Sequence, residues 1–319
     1  MINTLLYKQF CEDNPEIPLF SQYWWMEALC AGKQWDVLFV KDENDMIIAT
    51  MPFLIGKKFG LRYIVQPLLA QTNGVWIKYP QVQTENERLG YEKKICDDII
   101  SQLDKLKLSF FMQHFHFSFT NWLPFYWKGF SQTTRYTYRI PDISDTAKVF
   151  SNFSKSKKGH IRRAERELEL SFDLTPEEFY RHKNLTVFAK GEENNCPKEL
   201  FLSCCNAAIS QNKGFIIAIK DSDGNFNTGA FIVFDERSAY YVMSFNNPAF
   251  RSSGASSLII WEALKHLSGK TKSFDFAGSM IENVENSRRH FGAIQTPYFR
   301  IRRSSSRWID LIVGVYRNL

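Results

Sequence analysis

Short apolar runs alternate along this chain with stretches of helical period, and the alternation occurs twice in the same order. Trp35-Asp-Val-Leu-Phe-Val-Lys41, a polar turn and an apolar run to Leu54 predict strand, turn, strand. Phe215 to Phe234 predicts the same, and both hairpins turn on Lys-Asp, at Lys41-Asp42 and Lys220-Asp221. A helix precedes each hairpin, over Ser21–Cys30 and Pro197–Ile209. A longer helix and another apolar strand follow each: Tyr91–Leu106 then Leu108–Phe115, and Ser257–Leu267 then Ser273–Ala277. A repeated order of helix, hairpin, strand, helix, strand is what tandem duplication of one α/β domain leaves. The expected fold is therefore α/β with a mixed (α+β) sheet. Pro141–Thr146 reads as a linker, so domains are expected at 1–145 and 146–319. Helices are also predicted over Ser154–Leu168 and, from the capping box Thr175-Pro176-Glu-Glu178, to about Ala189.

The second half carries a compact junction that the first lacks. A buried strand, Ser238–Phe245, leads to Asn247-Pro-Ala-Phe-Arg251-Ser252-Ser253-Gly254-Ala255-Ser256. The following helix sets Leu258, Trp261, Leu264 and Leu267 on one stripe. Small side chains at 252–256 leave backbone N–H groups uncovered at a helix start, which attracts anions, and Arg251 adds a cation beside them. The same residues also suit a plain strand-to-helix turn with a serine N-cap. At the equivalent place the first half has Gln66 to Gly90, without a small-residue turn. Its Gln71, Thr72 and Asn73, with Trp24, Trp25 and Trp76 elsewhere in that half, suit hydrogen bonding and stacking of a polar organic ligand; buried tryptophan and a turn-forming Asn-Gly explain the same residues.

Composition narrows the class. The chain has 319 residues, 44% hydrophobic and 15% aromatic, which is ample for packed cores and excludes disorder. No apolar stretch reaches the roughly 18 residues of a membrane span, and the start shows no signal-peptide pattern. Its 6 cysteines have no CxxC spacing, so neither zinc nor a disulfide framework is expected, and no other metal set is visible. Reduced thiols in the cytoplasm are the simplest expectation. Net charge is +6 but uneven. Lys155, Lys157, Lys158, Arg162, Arg163 and Arg166 form one group, and Arg288, Arg289, Arg300, Arg302, Arg303 and Arg307 another. Such groups suit polyanions, although Glu165, Glu167 and Glu169 also allow a solvated helix face.

Arg251, Gly254 and Ser256 resemble the acyl-CoA loop of the GNAT acyltransferase superfamily, whose pattern is Arg/Gln-x-x-Gly-x-Gly/Ala at a strand-to-helix junction; serine at the last place departs from it. Two such domains with a basic helix opening the second resemble the Fem family of peptidoglycan peptidyltransferases. The resemblance rests on Ser154–Arg166, Asn247–Ser256, and Phe274-Asp275-Phe-Ala-Gly278-Ser279 with Phe291-Gly292. It implies two tandem GNAT-like domains forming a cleft between them. It also implies acyl transfer from acetyl-CoA or aminoacyl-tRNA to an amine of a small acceptor or a cell-wall precursor. On that scheme the first domain holds the acceptor with Trp24, Gln71 and Asn73, Lys157 and Arg162 contact substrate or tRNA, and Arg251–Ser256 hold the donor. Backbone N–H groups around Met243–Phe245 would polarise the acyl carbonyl.

Fem ligases carry Phe-Lys-x-x-Phe-Gly where this chain has Ser287-Arg288-Arg289-His290-Phe291-Gly292. Arg288 keeps the cation but cannot give up a proton near neutral pH; it can stabilise an oxyanion or hold phosphate. Asp275 is a candidate base, or a group that orients Arg288 or caps a helix, and Tyr241 on the adjacent strand is a further candidate. A non-catalytic binder of RNA or acidic glycan on the same scaffold is the alternative. The lysine replacement favours it; the intact small-residue turn favours the enzyme.

Overall fold

The computed structural model describes residues 2–309 apart from 31, 82, 83, 279 and 307, so Ser279 and Arg307 lie outside the described residues. The chain divides into two units: 1–135 with the residues from Pro297 on, and 136–296.

Unit 1 begins with helices α1 (Ile2–Asp13) and α2 (Tyr23–Cys30). Strands β1 (Trp35–Lys41), β2 (Ile47–Lys58), β3 (Leu61–Ile64) and β4 (Trp76–Ile77) follow. Next come α3 (Glu85–Lys105), β5 (Phe110–His114), α4 (Leu123–Trp127) and β6 (Ser131–Ile140), along which the chain passes into unit 2. There lie α5 (Thr146–Ser151), α6 (Lys155–Glu167), β7 (Glu169–Ser171), α7 (Pro176–Phe188) and α8 (Lys198–Ser210). Then come β8 (Gly214–Lys220), β9 (Phe226–Phe234), β10 (Ser238–Asn246), α9 (Ala255–Leu267), β11 (Ser273–Asp275) and α10 (Glu282–Arg289). β12 (Ile294–Ser304) carries the chain back into unit 1.

The predicted repetition is a repetition of topology. In unit 1, β1–β2 and β2–β3 are antiparallel, α3 crosses over, and β5 lies parallel to β3 through Tyr63↔Phe110 and Ile64↔Phe111. In unit 2, β8–β9 and β9–β10 are antiparallel, α9 crosses over, and β11 lies parallel to β10. The two hairpins share their turn chemistry. Asp42 Oδ1 accepts from the N–H groups of Asn44 and Met46, and Asp221 Oδ1 from those of Asp223 and Asn225. In each, the register shifts at the lysine before the aspartate. Aspartate is suited to this because its short carboxylate closes the turn on its own backbone.

Each unit has its own core. In unit 1, Met51, Phe53, Ile95, Ile99, Phe111, Phe115 and Phe125 pack between α3 and the sheet. In unit 2, Ile217, Ile232, Leu258, Ile259, Leu264 and Phe274 join α9 to the sheet, with Ile161 and Ala164 of α6 packed beside them. The capping boxes Thr84/Glu87 and Thr175/Glu178 start α3 and α7, so α3 begins earlier than apolar periodicity alone predicts.

The unit boundaries differ from the sequence partition in two places. β6 brings residues 136–140 into unit 2, where Phe274↔Ile140 and Asp275↔Arg139 pair antiparallel. Residues from Pro297 belong to unit 1, where β12 pairs with β5 through Arg300↔His114 to Ser304↔Phe110. Strand pairing between residues this far apart in sequence leaves no local signal. Among the described residues no helix is long and apolar enough to cross a membrane.

Candidate functional site

Strand β10 builds one wall of the site. Its register against β9 runs Tyr240↔Val233, Tyr241↔Ile232, then Met243↔Phe231, so Val242 is the extra residue of a β-bulge. A bulge leaves its extra residue out of the ladder and re-aims the neighbouring groups. On its other edge, β10 pairs with β11 only from Ser238 to Tyr240. The two parallel strands therefore part where the bulge begins, and Tyr241–Asn246 continue along an opening.

The strand-to-helix turn closes the far side of that opening. Gly254, not a serine, is the residue at the α9 N-cap, with φ +83° and no side chain to cap the helix. The correction has a steric cause. A Cβ at Gly254 would lie 2.7 Å from the His160 carbonyl oxygen and 3.3 Å from Ala164 Cβ, so glycine lets α6 approach the turn. Ser253 Oγ accepts from Ala255 N–H at 3.2 Å, and Arg163 Nη2 donates to the Ser252 carbonyl. The turn is thus less open than its small residues suggest; no partner for Ser256 N–H stands among the described hydrogen bonds.

A cavity of about 330 Å³ lies here, lined among others by Tyr241, Ser244, Arg251, Ala255, Ser256 and Arg288. Among the described residues its lining contains no aspartate or glutamate. The Arg288 guanidinium lies over the rings of Tyr241 and Phe276, 4.8 Å from each centroid. Its Nε is buried without a hydrogen-bond partner. Lys157 stands near it: its Nζ lies 4.6 Å from the Phe291 ring centroid and donates to Ser287 Oγ at 3.2 Å and Ser257 Oγ at 3.4 Å. Burial, then the charge of Arg288, pull the Lys157 ammonium down to about 8. Arg288 is itself pulled down by burial, opposed by Tyr241. Among the described residues neither cation has a carboxylate at ion-pair distance.

The structure thus gathers Tyr241, Arg251, Ala255, Ser256 and Arg288 around one cavity and sets Lys157 beside Arg288. Asp275 stands outside the lining of that cavity. Asp275, 1% exposed, accepts from Thr137 Oγ1 and, at 2.8 Å, from Ala277 N–H, and its ion-pair partner is Arg139 at 3.6 Å. Thr137 Oγ1 also accepts from Gly278 N–H at 2.9 Å. These bonds hold Ala277 at φ 57° and Gly278 at φ 74°, the turn that leads towards α10. Asp275 thus bonds into that turn and forms an ion pair with Arg139.

Arg162 is exposed on α6, whereas Lys157 shares the inward face with Ile161 and Ala164. In unit 1, Asn73 is buried with its side chain engaged internally. Nδ2 donates to the Phe20 carbonyl at 2.7 Å, and Oδ1 accepts from Gln66 at 2.9 Å. Gln71 is half-buried and its carbonyl meets His114 Nδ1 at 3.2 Å; Trp24 is half-buried with its ring edge-on to Trp25. The second arginine group divides between α10 and β12, and Arg303 pairs with Asp104.

Asn227 was not visible as a site residue. It lines the cavity from β9. The one signal was a polar residue inside the apolar run Phe226–Phe234. All 6 cysteines are free and buried, and among the described residues no group of three His, Cys, Asp or Glu is placed to hold a metal.

No protein-family profile and no curated protein matches the sequence. Solved structures do match the fold. FemX superposes with a TM-score of 0.67 at 11% identity, over 94% of this chain and 96% of that chain. The structure of L-PGS from Bacillus licheniformis gives 0.52 at 11%, over 92% and 95%. A tandem GNAT protein from the clavulanic acid biosynthesis pathway gives 0.51 at 8%, over 86% and 84%. With the parting of β10 from β11, the bulge and the crossover helix α9, these likenesses establish that the chain has a GNAT-like, Fem-type fold.

Proposed function

We propose that the chain is an N-acyltransferase that holds its acyl donor, acyl-CoA, in the unit 2 cavity and acylates an amine of a small or cell-envelope-related acceptor. One observation carries this reading. The Val242 bulge, the end of β10–β11 pairing and the start of α9 converge on one cavity whose described lining holds no aspartate or glutamate. The likeness to a tandem GNAT protein and to FemX supports it.

Acyl-CoA, when bound, supplies the activated acyl group. The chain's own part is positioning and charge. N–H groups at the bulge donate to the acyl carbonyl oxygen, and the α9 N-terminus with Arg251 opposes phosphate charge. Arg288 faces the negative charge that develops on transfer. Lys157 supplies what Arg288 lacks: with its ammonium near 8, it exchanges a proton close to neutral pH. Tyr241 supports the Arg288 plane from below. Trp24 and Gln71 of unit 1 are the acceptor-side residues in this reading, and buried free thiols fit a reducing, cytoplasmic setting.

The exposed Lys155, Arg162, Arg163 and Arg166 of α6 favour a second reading, in which the partner is RNA, as aminoacyl-tRNA donor or as a ligand without turnover, or an acidic glycan. Calorimetric titration with acetyl-CoA tests the first. Wild type binds, and Ser256→Arg, which fills the cavity mouth from an exposed position, does not. A wild type that ignores acetyl-CoA but binds tRNA with a steep salt dependence, lost on Arg162→Ala, replaces the acyl-CoA donor with RNA. Binding without product over a panel of amines, read by mass spectrometry, leaves a binder.

A further inference from the structure

Two side chains on the wall of this cavity carry buried polar atoms that find no hydrogen-bond partner among the described residues. Asn227 is 3% exposed, and neither its amide nitrogen nor its carbonyl oxygen makes a hydrogen bond. Its backbone carbonyl is already engaged by Asn247 N–H at 2.9 Å, and the strand is buried from Asn227 to Val233. A buried amide with both halves unmatched is destabilising, and a leucine of similar volume would fit the strand without that penalty. Arg288 repeats the situation with a charge. Its Nε is unpartnered, its faces lie on Tyr241 and Phe276, and its neighbour Lys157 is another cation. Tyr241 supplies a side-chain hydrogen bond to this half-buried guanidinium, and no carboxylate among the described residues does, so an anion from outside the protein would complete it. Arg251 is a further cation in the lining, and among the described residues no aspartate or glutamate lines the cavity beside it and Arg288.

We infer that the cavity takes a ligand that presents an oxyanion to Arg288 and a carboxamide-type donor–acceptor pair to Asn227, and that it turns away a ligand bringing an ammonium there. The inference rests on the donor-site reading and deepens it. A thioester arm with amides and phosphates satisfies both groups, whereas an aminoacyl ester would set its α-ammonium among cations. The oxyanion has two sources, a phosphate of the arm or a carboxylate on the acyl group.

Two measurements test this. In the first, thermal unfolding of the ligand-free protein compares wild type with Asn227→Leu and Arg288→Met. Both variants are expected to gain about 2–4 °C, because each removes a buried polar atom that has no hydrogen-bond partner; a fall in both would show that these groups serve the fold and would overturn the inference. In the second, calorimetry uses stable CoA thioethers ending in propyl, carboxyethyl or aminoethyl. Asn227→Leu and Arg288→Met are expected to weaken propyl-CoA at least tenfold. Aminoethyl-CoA should bind wild type about tenfold more weakly than propyl-CoA, a gap that closes in Arg288→Met. Preference for carboxyethyl-CoA places the oxyanion on the acyl group, and parity with propyl-CoA places it on the phosphates. Aminoethyl-CoA binding as tightly as propyl-CoA would overturn the proposal. If no CoA compound binds, yet both variants gain stability and inorganic pyrophosphate binds wild type and not Arg288→Met, the donor assignment falls and the cavity's selectivity stands.

Discussion

Lys157 holds its ammonium against an aromatic ring and two serine hydroxyls, with a second cation close by. Burial and Arg288 both disfavour its charged form, so its folded value of about 8 lies below the ordinary lysine value of roughly 10.4. The sign of the pH effect follows. Between about 8 and that ordinary value the native state binds fewer protons than the unfolded chain, so this residue makes stability rise with pH across that window. Below it the charged amine is a net burden. Lys157→Met is therefore expected to melt higher than wild type at pH 7, with the difference shrinking by pH 10. Melting curves at the two pH values check this; a constant difference would show that Lys157 keeps its proton throughout. Lysine at 157 was legible in the sequence as one of a basic group. Its inward direction was not, because only the packing of Ile161 and Ala164 fixes which face of α6 points to α9.

At the scale of elements, the decisive contact is between α6 and the turn before α9. Two requirements meet in Gly254: a left-handed backbone and the space occupied by the His160 carbonyl. Gly254→Ala meets both penalties, and a loss of about 2–3 kcal/mol is expected, in line with one strained φ plus overpacking. Urea unfolding measures it, and an unchanged midpoint would mean that α6 moves aside without cost. The same substitution is expected to weaken acetyl-CoA binding, since the turn carries Arg251 and Ser256. Sequence read the turn as small and anion-friendly, with a serine N-cap as the plainer reading. The structure shows it tied by Arg163 and Ser253 and shaped by the helix behind it.

At the scale of the whole molecule, β6 and β12 join segments that sequence partition assigned elsewhere. A fragment cut at 146–319 lacks Thr137, which donates to Asp275, Arg139, which forms an ion pair with it, and the core residues Tyr138, Ile140 and Ile143. Leaving a buried carboxylate without its arginine is strongly destabilising, typically about 3–5 kcal/mol. That fragment is expected to show no cooperative unfolding by circular dichroism, whereas 136–296 unfolds cooperatively. Equal behaviour of the two fragments would mean that β6 contributes little to unit 2.

The sequence by itself determined what local patterning can determine. Period and turn chemistry gave the repeated hairpins, the crossover helices and the small-residue junction, because Asx turns, capping boxes and apolar stripes are short-range properties. It also named several of the cavity's residues, among them Tyr241, Arg251, Ser256 and Arg288. Tertiary structure alone decided what each of them faces. It bonded Asp275 to Thr137 and to the Ala277 N–H, set Lys157 beside Arg288, and closed Asn227 into a wall without a partner. Those outcomes depend on burial and on pairing between residues distant in sequence, and neither leaves a local trace in the chain.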